Sequence, residues 1–227
     1  MFQTDPFSLI VLFVGLSLVA FVAMVATSYL KIVVVISLIR NALGIQSIPP
    51  NMVVNALAMI LTFYIMAPVL GEGWGILSKE LEARKAEPAA QVLRETDAAA
   101  KATEPYREWL SARTDARSRQ FFVSTAEQLW AKKGENGADV PAKVDPESFY
   151  ILIPSFCVSE LSKAFQIGFL VYLPFIAIDI IISNILLAMG MMMVSPVTIS
   201  LPFKLLLFVM VNGWTLLIQG LVKGYMI

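Results

Sequence analysis

"FYILIPSFCVSELSKAFQIGFLVYLPFIAIDIIISNILLA", residues 149–188, decides the fold. Forty consecutive residues carry three charges, Glu160, Lys163 and Asp179, in an otherwise apolar run. A helix rises 1.5 Å per residue, so the run would reach about 60 Å, roughly twice a hydrocarbon core. It is long enough for two membrane passes or one broken hairpin. Pro154 and Pro174 supply breaks, because each removes a backbone donor and needs neighbouring helices to satisfy a freed carbonyl.

Outward from this run, the same solvent preference repeats. Phe7 to Leu30 has no charge, and after Lys31 the sequence resumes as "IVVVISLI". As one helix, Phe7 to Ile39 would extend about 50 Å, so it either projects from the bilayer or packs in protein. "NALGIQSIPPN", residues 41–51, stops it: Gly44 suits a C-cap, and Pro49-Pro50 cannot continue a helix. Met52 to Leu70 is a second apolar run, ending near Pro68, and Leu205 to Val222 is the last. About four spans result. Lys31 and Arg40 fall on the first hairpin's connection and Lys204 on the last. The excess of basic residues in cytoplasmic loops then puts both connections in the cytoplasm and the chain termini outside.

Composition supports an integral membrane protein with one polar insertion. The chain is 58% hydrophobic, against roughly 45–50% in soluble domains. Residues 72–147 hold 12 basic and 14 acidic side chains, a net of −2, between two apolar arms. The fold class expected is all-α, long helical hairpins with a small helical polar insertion, divided as 1–71, 72–147 and 148–227. Within the insertion, Tyr106, Trp109 and Leu110 share one helical face, as do Phe122, Ala126, Leu129 and Trp130. "GENG" ends that second pattern, and Asp145 before Pro146 resembles an N-cap followed by proline. The Ala-rich part, 86–103, is the segment with least to hold it.

The inventory narrows the chemistry. With no histidine, the usual acid/base group and commonest metal ligand are missing. A lone Cys157 permits no internal disulfide or cysteine metal cluster. Net charge is zero, giving no sign of nucleic-acid binding. "MFQTDP" lacks the basic start of a signal peptide, so the first apolar run reads as a retained membrane segment. No nucleotide motif, cofactor site or nucleophile–base constellation can be assembled.

What remains is a set of residues that a lipid-facing helix would not carry. Ser155, Ser159, Ser162 and Gln166 form a helical stripe. Glu160 and Lys163 are i,i+3 neighbours that could pair locally or with other helices. Asp179 and Lys204 have no partner nearby in sequence. A charge at bilayer depth costs roughly 3 kcal/mol on insertion scales, so pairing between helices or subunits competes with an ion relay for these groups. Ala164 and Gly168 form a small-xxx-small pair that allows close helix approach. Met189, Met191, Met192 and Met193 lie around Gly190 and before Pro196. Methionine is an adaptable core filler. In irregular backbone at membrane depth, which is tolerated only when buried by protein or lining a cavity, it would also make a soft seal.

"SYLKIVVVISLIRNALGIQSIPPNMV" (28–53) and "IPSFCVSELSKAFQIGFLVYLPFIAIDIIISNILLAMGMMMVSPVTISLPFKLLLFVMVNGW" (153–214) closely resemble the SctR/FliP family. This family supplies the export-gate subunit of type III secretion systems and flagella. The resemblance covers both apolar arms, and the missing signal peptide fits the injectisome branch. It implies a non-enzymatic inner-membrane subunit with the polar insertion on the periplasmic side. It further implies a pentamer that winds with two smaller hydrophobic export proteins into a cone around a channel for unfolded substrates. Met191, Met192 and Met193 match the family's constricting loop. Glu160, Asp179 and Lys204 match charges at inter-helix and inter-subunit contacts.

Overall fold

The computed structural model describes residues 6–45, 48–86, 93–133, 139–140 and 143–226. Eight helices account for nearly all of them: α1 (Pro6–Val25), α2 (Tyr29–Ala42), α3 (Asn51–Ala86), α4 (Leu93–Arg113), α5 (Ala116–Leu129), α6 (Phe149–Ala188), α7 (Pro196–Met210) and α8 (Gly213–Lys223). The strands described, β1 (Lys132–Lys133) and β2 (Asp139–Val140), form a minimal antiparallel ladder. "GENG" lies outside the described residues. The chain is all-α and carries membrane-capable helices. Asn51–Glu80 and Phe149–Ala188 are each long and apolar enough to cross a membrane. The pairs α1–α2 and α7–α8 each meet the same test as a broken span, the latter bent by 60°.

The run 149–188 forms one uninterrupted helix, neither two passes nor a broken hairpin. Likewise α3 runs through Pro68 and on past residue 72, where the polar insertion was expected to begin. The reason is common to both. Each proline removes one donor, whereas leaving the helix in apolar surroundings would expose several backbone groups with no water to pair them. Two of the helices, α2 and α6, end instead where a glycine offers a left-handed turn. At Gly44 (φ 79°) the amide of Gly44 donates to Asn41 and that of Ile45 donates to Arg40. This pair of bonds satisfies the last carbonyls of α2.

The first apolar arm is broken rather than continuous. The α1–α2 break at residues 26–28 exposes helix-end carbonyls and amides that need partners. The Tyr106 hydroxyl donates to the Ala26 carbonyl (2.5 Å), and the Cys157 thiol donates to that of Val25 (3.4 Å). The Tyr29 amide donates to Thr27 Oγ1 (3.4 Å), a local turn bond that serves the first amide of α2. Burial pushes the Tyr106 phenol well above its ordinary range, so it remains a donor.

Packing divides the chain into two compact units, Met1–Leu30 with Met66–Glu160, and Lys31–Ile65 with Leu161–Ile227. In the first, Trp109 and Leu110 of α4 are buried, and the Trp109 and Phe156 rings lie 5.2 Å apart. Ala126 of α5 packs with Phe122, Val123, Val144 and Ile151. Leu129 and Trp130, expected on that face, are exposed. Val123 packs on the buried face in their place, and Trp130 lies past the end of α5, where helical spacing no longer holds. Asp145 does not cap α6 at Pro146. It heads a turn in which Ser148 Oγ and N donate to its carbonyl, and α6 starts at Phe149. From Leu93 onward the Ala-rich part is helical.

In the second unit, α2 buries Ile32, Val35, Ile36 and Ile39, spaced as one helical face. At Gly168, α6 approaches Leu38 so closely that an added Cβ would overlap its side chain. Lys31 and Lys204, taken from sequence as loop charges, both lie inside helices and are buried. They therefore carry no weight in a count of loop charges.

Candidate functional site: a methionine loop and its charged anchor

The segment between α6 and α7 begins with a left-handed glycine. Gly190 has φ 72°, its amide donates to Leu187, and the amide of Met191 donates to Leu186 (2.9 Å). This glycine-terminated cap stops α6 and turns the chain sharply. Two further bonds, Met192 N to Gly190 O and Val194 N to Met191 O, hold the loop. Ser195 then occupies the N-cap position of α7 with Pro196 following, where a proline's missing donor costs nothing. Short backbone bonds and two stops fix the loop, so its side chains are presented rather than packed. Met189 is 67% exposed, Met191 41% and Met192 81%, and Met193 is fully exposed.

Below the loop, the polar groups of unit two converge. Lys204 Nζ lies 2.6 Å from Asp179 Oδ2, their side chains 4% and 29% exposed. Ser200 Oγ donates to Asp179 Oδ1 (2.5 Å) and contacts the Val197 carbonyl (3.1 Å). Lys204 also donates to the Ala42 carbonyl at the end of α2 (3.3 Å), where the helix dipole favours a cation. One carboxylate and one ammonium thus tie together α2, α6 and α7. A charge-assisted pair of this kind offsets its desolvation only when remaining donors and acceptors are also satisfied. Ser200 and Ala42 provide that.

Glu160 and Lys163 stand elsewhere. Glu160 is fully buried at the boundary residue of the first unit, and Lys163 is half-buried in the second. The serine stripe splits at the same place. Ser155 and Ser159 are buried, and Ser159 Oγ donates to the Ser155 carbonyl while accepting from the Asp115 amide (2.9 Å), which ties α6 to the start of α5. Ser162 and Gln166 are exposed. Two groups escaped the sequence reading. Ser200 could have been found from its i,i+4 spacing to Lys204 on one helix face. Thr27 could have been found as a hydroxyl ahead of a fresh apolar run.

Among the described residues, no group of three or more His, Cys, Asp and Glu side chains could hold a metal ion. The site offers instead a soft, exposed apolar rim on a pinned hairpin.

Comparison with known proteins gives a consistent result. The model of the FliP family matches residues 12–221. The Yop proteins translocation protein R of Yersinia pestis is 48% identical over 222 residues, covering 97% of each chain. The hypersensitivity response secretion protein HrcR of Ralstonia nicotianae is 45% identical over 218 residues, 96% of each. The virulence protein YscR of Salmonella typhimurium is 42% identical over 221 residues, 97% of each. With the family matched from α1 to α8 and these relatives aligned over 96–97% of their lengths, the chain belongs to the FliP family, the SctR/FliP membrane proteins of the type III secretion export apparatus.

Proposed function

We propose that this chain is a core, non-enzymatic subunit of the export gate and forms, with further copies of itself and two smaller hydrophobic export proteins, a protein-conducting channel. Unfolded substrates would pass through it across the bacterial inner membrane. The hydrophobic arms 1–71 and 148–227 would face lipid and neighbouring protein, and the polar insertion 72–147 would lie on the periplasmic side. Met189, Met191, Met192 and Met193 would form the constriction. The observation that carries this reading is the loop itself: large, flexible, apolar side chains held out from a hairpin whose base is fixed by an ion pair. Methionine suits such a rim because its unbranched, polarizable side chain adapts to many surfaces. The charges Glu160, Lys163, Asp179 and Lys204 then have a structural task, joining helices within and between subunits.

The direct test replaces Met191, Met192 and Met193 together by Ala in assembled export complexes. Small-molecule leak across the membrane should rise while the amount of complex stays the same. Unchanged leak and unchanged substrate gating would favour a scaffold without a pore.

A further inference from the structure

An apolar groove of about 600 Å³ opens within the second unit, between α2, α6, α7 and α8. Ile39, Val171, Phe175, Phe208, Leu217 and Leu221 are among its walls. Its size lies within the range of small-molecule sites, which are mostly apolar with a few polar groups. The walls themselves are apolar, and the polar groups of α8 stand outside the groove rather than in its lining. Asn212, Thr215, Gln219 and Lys223 fall at helical spacing and all four are exposed, while Gly213 and Leu221 face inward and are buried. An 11-residue helix so divided, basic at its end and turned 60° from α7, has the form of a helix lying in a membrane interface. Lys223 follows the wall residues Gly220 and Leu221 by less than one turn, so a cation stands beside the end of an apolar slot.

We propose that this groove is a lipid site holding an acyl chain of an anionic phospholipid, with its phosphate against Lys223 and the polar stripe of α8 at headgroup level. A neutral apolar ligand would leave the lysine without a role, whereas basic groups beside inter-helix clefts suit anionic headgroups. The proposal does not depend on the methionine loop forming a constriction.

The test uses the assembled export complex reconstituted in nanodiscs of phosphatidylglycerol and phosphatidylcholine, extracted gently and weighed by native mass spectrometry. Two variants separate tail from headgroup. Gly220→Leu fills the groove; an added Cβ there meets nothing within 4 Å, and the change favours the helix. Lys223→Gln removes the cation. The complex should retain phosphatidylglycerol, Gly220→Leu should abolish retention, and Lys223→Gln should lower it about fivefold with no change for phosphatidylcholine. Equal retention in all three proteins would overturn the proposal. So would a photo-crosslinker at Leu217 that captures a neighbouring polypeptide and no lipid.

Discussion

Asp179 shows how one residue sets the energetics of a membrane hairpin. Its carboxylate receives Lys204 and Ser200 together, and Lys204 reaches on to Ala42. Removing one partner strands the other charge in a buried site. Asp179→Ala should therefore destabilise the chain by about 3 kcal/mol, seen as a lower melting temperature in detergent. Combining it with Lys204→Met should recover most of the loss, because no buried charge then lacks a partner. Were the group an ion relay, the double variant would be stable yet lose ion-coupled transport. Tyr106 makes the same point more gently. Its hydroxyl serves an orphan carbonyl at the α1–α2 break, so Tyr106→Phe should cost about 1 kcal/mol in the same melting experiment. The charges were conspicuous in the sequence because ionisable groups in apolar runs are rare. Their pairing was not, since Asp179 and Lys204 are brought together only by the turn at Gly190.

At the level of elements, what was legible followed hydropathy and glycine. The helical class and the stop at Gly44 could both be read from the order of residues. Proline was the misleading signal. Pro68, Pro154 and Pro174 look like breaks in a soluble chain, yet α3 and α6 run through them, because a membrane helix loses more by unwinding than by omitting one bond. The true breaks are at residues 26–28 and at Asn212, neither marked by proline. Asn212 takes φ 52°, a left-handed conformation that Asn tolerates better than most residues. Gly213 after it leaves room for Phe208, whose ring a Cβ would overlap. Gly213→Ala should thus open the α7–α8 bend, costing about 1–3 kcal/mol. Trp214, 5.4 Å from Phe208 between ring centroids, reports this by a fluorescence shift. Phe208→Leu in the same chain should restore the wild-type spectrum.

For the whole molecule, the structure describes a chain with much apolar surface still exposed. Phe63 and Tyr64 of α3, Phe165 and Phe169 of α6, and Val209 and Met210 of α7 all lie open. So many exposed large apolar side chains belong against lipid or other subunits, in keeping with a part of a larger export apparatus. The functional claim rests on where the methionine loop points within that assembly. The most direct measurement places a photo-reactive amino acid at position 193 in cells whose export complexes hold a substrate stalled in transit. Irradiation should give a covalent adduct between this chain and the substrate, lost when the stalling domain is removed. Adducts only to lipid or to other export proteins, with substrate demonstrably lodged in the same complexes, would contradict a methionine constriction.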